Sequence, residues 1–203
     1  MRGLYVHIPF CLKKCHYCNF VITTKRTEGF RARFFQALLK EIKQAREKYG
    51  RLCFDTLYLG GGTPSALTAE EMGPLIEALR RDFDFMAGHE ITCEVNPGDV
   101  DRAKLETYRS LGINRISLGV QAFQDPLLKD MGRPHTVADT LETWRLLRDL
   151  GFNNISFDLI NGLPSQTIEY FEDSLRKTIE LEAEQLSLYD LDVHEKTVYG
   201  LRR

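Results

Sequence analysis

A chain of 203 residues, 43 % of them hydrophobic, has the size and apolar content of one domain with a sizeable core. Its 27 basic and 29 acidic side chains are spread fairly evenly and leave a formal charge of −2, which argues against a nucleic-acid or membrane partner, and no apolar run approaches the roughly 20 residues that span a bilayer. Five cysteines, an odd count, argue against a disulfide framework, and Met1-Arg2-Gly3 leads straight into an apolar strand with no leader-like stretch, so the expected location is cytoplasmic.

The first strand is read over residues 4–8, and a lysine-containing loop follows it: Cys11-Leu12-Lys13-Lys14-Cys15-His16-Tyr17-Cys18. Phe30, Phe34, Leu38 and Ile42 then recur every four residues, the spacing of one helix face. A strand at 56–59 runs into Gly60, Gly61, Gly62 and Thr63, after which Thr68 and Glu71 form a capping box opening a helix through Leu79. A strand at 91–95 carries Glu94 near its end; Leu105, Tyr108 and Leu111 then form a helix stopped by Gly112. Past a strand at 115–120 comes Gln121, and Val137, Leu141, Trp144, Leu147 and Leu150 make the next apolar stripe, closed by Gly151. A strand at 154–160 holds Asp158. Ile168, Phe171, Leu175 and Ile179 read as one face of the helix after it, and a sixth strand at 185–189 ends on Tyr189 with no helix expected beyond. Cys53 and Cys93 stand alone in apolar surroundings and read as buried core thiols.

Repeated βα units imply an α/β fold with a parallel sheet and outer helices. Six strands are too few for a closed eight-stranded barrel, so the expectation is one domain forming an open, partial (βα)6 barrel. In such folds chemistry gathers at the C-terminal ends of the strands, and Cys11, Gly60 to Gly62, Glu94, Gln121, Asp158 and Tyr189 all fall at or just past a strand end.

A cubane iron–sulfur cluster has four irons, whereas the loop supplies three thiolates in a C-x3-C-x2-C spacing. The remaining iron is then open to a chelate such as the amino and carboxylate groups of S-adenosylmethionine (SAM), whose sulfonium an electron from the cluster can cleave. Two alternatives stay open at this level: a zinc site completed by His16 or His7, and three unrelated core cysteines, which a lysine-rich loop makes a poor fit. The three glycines read equally well as a ligand cradle with unpaired N–H groups or as a strand-to-helix turn.

The cysteine segment with the strand before it (LYVHIPFC, then Cys15, Tyr17 and Cys18) is joined by GGGTPS at 60–65, EVNPG at 94–98, RISLGVQAF at 115–123, GRPH at 132–135 and FDLINGLP at 157–164. In that order these runs resemble the HemN/HemW family of radical SAM proteins, which holds oxygen-independent coproporphyrinogen III dehydrogenases and related heme chaperones. The resemblance implies Cys11, Cys15 and Cys18 as ligands of a [4Fe–4S] cluster, with Tyr5 and Tyr17 beside cluster and cofactor. It further implies Gly61, Gly62 and Thr63 as the turn receiving the methionine end of SAM, and Glu94, Gln121, Arg133 and Asp158 as polar contacts to it. No catalytic residue is assigned beyond the cluster. Each contact has a plainer reading: Glu94 and Arg133 as a salt-bridged pair, Asp158 capping a turn, Gln121 bonding a loop backbone, the two tyrosines as packing, and His7 and His135 as structural histidines.

Dehydrogenase members resemble one another in a further cysteine two residues after the third ligand, where this chain has Phe20, and in an N-terminal extension that it lacks. Both departures point to the heme chaperones. The implied function is a radical SAM protein of heme metabolism, with a coproporphyrinogen III oxidase acting by oxidative decarboxylation as the alternative and an inactive truncated barrel as the second. Heme or porphyrin, a heme-acceptor protein and an electron donor are the implied partners, heme binding being expected of the complete protein. Asn161, Ser165 and the stretch 192–197 depart from the family pattern. The expectation is a radical SAM core domain over 1–203, truncated before the last barrel helix and a C-terminal domain.

Overall fold

A computed structural model describes residues 1–202. The elements are β1 (Gly3–Ile8), α1 (Glu28–Tyr49), β2 (Cys53–Gly61), α2 (Ala69–Asp82), β3 (Asp84–Val95), α3 (Arg102–Ser110), β4 (Arg115–Gln121), α4 (Asp125–Asp130), α5 (Val137–Asp149), β5 (Ile155–Asn161), α6 (Ile168–Glu180), β6 (Gln185–Asp190) and α7 (Val198–Leu201). All six strands pair in parallel, in the order β1-β2-β3-β4-β5-β6, and the sheet does not close on itself: a partial barrel, as expected.

The period-two alternation of the strands decides where the core sits. Val6, Ile8, Leu57, Leu59, Ile91, Cys93, Val95, Ile116, Leu118, Val120, Ile155, Phe157 and Leu159 are all buried and form one apolar cluster with Ile42, Leu75, Ile76, Leu79, Leu105, Tyr108 and Leu147 from the helices. Most of their alternate neighbours face the other way and are polar, Gly60, Gly119 and Ile160 excepted. Across the sheet Tyr5 stands beside Tyr58, Tyr58 beside Thr92 and Thr92 beside Arg115, while Ser117 pairs with Ser156 and Asp158 with Ser187. A closed (βα)8 barrel fills its interior with branched apolar side chains; here the corresponding face is hydrophilic. At its lower end Arg115, 8 % exposed, donates to Thr92 Oγ1 at 3.2 Å and to Gln185 Oε1.

Three expectations need correction. A one-turn helix, α7, does follow β6, and the short α4 was not legible either. The stripe read on α6 holds only in its middle: Phe171 is half-buried and Leu175 packs against the core, whereas Ile168 and Ile179 are 74 % and 76 % exposed and the fully buried positions are Ser174 and Thr178. Ser174 explains the choice, because its hydroxyl accepts from the Phe123 N–H at 3.2 Å and donates to Gln124 Oε1 at 3.1 Å, tying α6 to the loop after β4. Cys53 opens β2 only partly buried, whereas Cys93 is fully buried as expected. The capping box at α2 is present, and its Glu71 also holds Arg31 of α1.

Candidate functional site

β1 ends at Ile8, and the loop after it is anchored by Phe10, which is fully buried edge-on to Phe34 (5.0 Å between centroids) and beneath the Arg31 guanidinium (4.6 Å). The Cys11 N–H donates to the Thr23 carbonyl at 3.0 Å and the Thr23 N–H to Pro9 at 2.7 Å, so the outgoing and returning chains are pinned side by side. Between them the Cys18 N–H closes a turn on Cys15 (3.2 Å), while the His16 N–H donates to Met131 (2.8 Å) and His16 Nδ1 to the Asp130 carbonyl (2.5 Å). From the far end of the chain Tyr199 reaches the same spot: its N–H donates to the His16 carbonyl at 3.1 Å and its hydroxyl to Asp130 Oδ2 at 2.8 Å. The cysteine loop is thus held from both sides by backbone.

Cys11, Cys15 and Cys18 are each half-buried at one end of a cavity of about 320 Å³, within the range of small-molecule sites. Burial pushes the Cys11 and Cys18 thiols up, and each is raised further by the neighbouring cysteines. Beneath them lies Arg133. Its Nη1 is 3.8 Å from Cys15 Sγ and 3.5 Å from the Tyr17 hydroxyl, and its Nη2 donates to Asn96 Oδ1 at 2.6 Å and to the Gly119 carbonyl at 2.8 Å. Its Nε is buried with no partner among the described residues. Deeper, Glu94 accepts from the Tyr58 hydroxyl at 2.9 Å and the Gly61 N–H at 3.1 Å; Asp158 accepts from Ser117 Oγ at 3.0 Å and 3.1 Å. Burial pushes both carboxyls up, and the charge of Asp158 adds to the effect on Glu94. Gln121 lines the cavity with φ of 67°, in the left-handed region, where the β4–β5 register shifts. Strain of this kind, of order 1–3 kcal/mol, is characteristic of functional sites.

The geometry removes several of the plainer readings. Arg133 does not pair with Glu94, Asp158 bonds across the sheet and does not cap a turn, and no hydrogen bond holds the Gln121 side chain to a loop among the described residues. His7 and His135 are structural, as expected: His7 Nε2 donates to Val21 at 2.8 Å, and His135, 5 % exposed, bonds Val120 at 3.3 Å with burial pushing its pKa down to about 3. His7 is occupied at both ring nitrogens, by the Val21 carbonyl and the Tyr5 hydroxyl, and His16 Nδ1 by the Asp130 carbonyl; no three His, Cys, Asp or Glu side chains converge on a single point among the described residues. A cubane makes no such demand, because each thiolate binds its own iron.

Of the two readings of the glycine turn, the structure fits the strand-to-helix turn. The Gly61 N–H is spent on Glu94 and the Gly62 N–H on the Ile8 carbonyl (2.8 Å), so neither is left unpaired. A Cβ on Gly61, at φ of 116°, would stand 2.6 Å from His7, and one on Gly62 2.7 Å from the backbone of Pro9. These glycines let the ends of β1 and β2 close together, and Thr63 meets Cys11 Sγ at 3.4 Å as a result. Tyr5 is not brought to the cavity: it is 55 % exposed and stacks on Tyr58, the residue that holds Glu94. Three residues of the site were missed: Asn96, Tyr58 and Ser117. Strand parity could have found the last two, since both face inward with Glu94 and Asp158.

Residues 5–178 match the model of the radical SAM superfamily. The heme chaperone HemW of Bacillus subtilis is 37 % identical over 203 residues, covering 98 % of this chain and 52 % of that protein. The oxygen-independent coproporphyrinogen III oxidase of Escherichia coli is 33 % identical over 201 residues, covering 99 % of this chain and 44 % of that protein. The solved structure of the Escherichia coli coproporphyrinogen III oxidase HemN superposes with a TM-score of 0.89 at 33 % identity, over 98 % of this chain and 46 % of that one. The chain spans about half the length of the curated relatives it matches. No helix of the described residues is long and apolar enough to cross a membrane.

Proposed function

The chain belongs to the radical SAM superfamily, and from that premise we propose that Cys11, Cys15 and Cys18 hold a [4Fe–4S] cluster, that the adjoining cavity takes SAM, and that the protein handles heme in the manner of its chaperone relatives. Membership itself implies the cluster and SAM. One observation carries the reading: three half-buried thiols share a cavity with a buried guanidinium and two buried carboxylates. When bound, the cluster and SAM supply reductive cleavage of a carbon–sulfur bond.

The residues of this chain do the holding. Arg133, locked by Asn96 and Gly119 and with Nε free, is preset to receive a carboxylate. Glu94 and Asp158 favour a cation and hydroxyl donors; the burial that makes their ionisation costly is offset when an ammonium group arrives beside them. Gln121 adds an amide that can both donate and accept. Tyr5, off the cavity, acts through Tyr58 on Glu94.

The chaperone reading is supported by Phe20, which stands where the dehydrogenases resemble one another in carrying a cysteine, and by relatives of 34–37 % identity named heme chaperones. A heme-acceptor protein and an electron donor belong to the same proposal. The test is anaerobic: the chain is reconstituted with iron and sulfide, titrated with heme, and separately given coproporphyrinogen III, SAM and a reductant. No formation of protoporphyrinogen is expected, and heme binding is expected of the complete protein that carries this chain. SAM-dependent decarboxylation would make the protein an oxidase instead, and failure to take up a cluster would leave an inactive barrel.

A further inference from the structure

One amide joins the thiols to the guanidinium. Asn96, just past the end of β3, is half-buried, and its backbone N–H donates to Ser65 Oγ at 3.2 Å. Ser65 is itself fully buried and donates to Asp99 Oδ2 at 3.4 Å, while the Lys104 ammonium, reaching from α3, holds the Ser65 carbonyl at 2.5 Å and the Asp99 carbonyl at 3.2 Å. The Asn96 side chain has one orientation that satisfies both its neighbours. A guanidinium only donates, so the atom 2.6 Å from Arg133 Nη2 is Oδ1, and Nδ2 is left to donate to Thr63 Oγ1 at 3.0 Å. The Thr63 hydroxyl proton then has one acceptor among the described residues, Cys11 Sγ at 3.4 Å, and a Cys11 thiolate can only accept. On the other arm, Arg133 Nη1 lies 3.8 Å from Cys15 Sγ. Gly119 leaves room for the pair: a Cβ there would stand 3.2 Å from Arg133 Nη2 and 3.4 Å from Asn96 Oδ1.

We infer that Asn96 is a positioning residue that sets how easily the cluster is reduced, by keeping Thr63 and Arg133 as hydrogen-bond donors on two of the three ligand sulfurs. The inference rests on the cluster proposal and deepens it. The couple is one electron into the cluster, with no proton moved and no bond formed or broken. An added electron raises the negative charge on the sulfurs, so donors aimed at them stabilise the reduced form more than the oxidised one and raise the potential. Arg133 adds a positive charge that acts in the same sense. It is also the group proposed to receive the SAM carboxylate, so Asn96 ties the potential to SAM binding through one guanidinium. An asparagine that served packing alone would affect stability and leave the potential where it is.

The test is an EPR-monitored redox titration of the whole reconstituted chain, with SAM binding measured by calorimetry alongside. Asn96→Ala releases both arms and is expected to lower the midpoint potential and weaken SAM about tenfold. Asn96→Asp keeps the size and the Arg133 contact, but it cannot donate to Thr63 and it brings a negative charge; it should lower the potential at least as far. Thr63→Val should lower the potential, and Thr63→Ser, which keeps the hydroxyl, should hold the wild-type value. The Thr63→Val shift should shrink in an Asn96→Ala background, where the hydroxyl is no longer aimed. A loaded Asn96 variant or a loaded Thr63→Val protein at the wild-type potential would overturn the inference, as would Thr63→Val and Asn96→Ala shifts that simply add. Should both Asn96 variants stay empty beside a loaded wild type, the residue serves cluster assembly and the inference fails. A wild-type chain that gains no cluster sinks the cluster proposal instead, and its absorbance shows this before any titration begins.

Discussion

Cys93 and Glu94 are consecutive residues of one strand, as are Phe157 and Asp158, yet the members of each pair live in different worlds. The first of each is fully buried in the apolar cluster between sheet and helices; the second points to the open face among tyrosines, serines and an arginine. One face of the sheet therefore supplies the folding free energy, and the other supplies charge that folding alone would not select. The polar face costs stability wherever a carboxylate is buried without a cation, and that cost marks it as a binding surface.

The comparison breaks if substitutions on the two faces have the same signature. On the helix side, Leu118→Ala, at a fully buried position, should cost about 2–5 kcal/mol in denaturant unfolding while leaving SAM affinity per folded molecule unchanged. On the open side, Glu94→Gln should weaken SAM binding by about 1.5–3 kcal/mol, the worth of a hydrogen bond to a charged group, as read by calorimetry. The same change should stabilise the ligand-free chain by roughly 1 kcal/mol at neutral pH. The sign follows from burial: the Glu94 and Asp158 carboxyls are raised in the folded state, so their contribution is fully present below the ordinary carboxylate range near about 4 and is lost as pH climbs through the raised values. A urea midpoint that falls over that window in wild type and falls less in Glu94→Gln is the expected result. The smallest effect belongs to Ser165, at φ of 62° in a conformation that favours glycine; Ser165→Gly should raise stability by about 0.5–1 kcal/mol without touching the site.

Much of this division could be read from residues alone. Alternation in 4–8, 91–95 and 115–120 located the strands, and the spacing of Cys11, Cys15 and Cys18 pointed to a cluster while leaving zinc open. Where the residues alone left the outcome open or misled, the cause was long-range. The N–H groups of Gly61 and Gly62 are taken by Glu94 and Ile8, partners 33 and 54 residues away that no local pattern reveals. Ser174 outcompetes Ile168 and Ile179 for the buried face of α6 because a loop 51 residues earlier offers it hydrogen bonds. Tyr199 clamps the cysteine loop from the opposite end of the chain, and Asn96 positions Arg133 from within a motif noticed for its glutamate.

The central claim is ligation by three cysteines of a cluster that SAM can reach, and the most direct measurement is iron and sulfide content together with the low-temperature EPR spectrum of the reduced, reconstituted chain, with and without SAM, for wild type, Cys15→Ala and Cys93→Ala. The account predicts a cluster signal that SAM alters in wild type and in Cys93→Ala, and none in Cys15→Ala. A wild-type signal indifferent to SAM, or a Cys93→Ala protein as empty as Cys15→Ala, would contradict it.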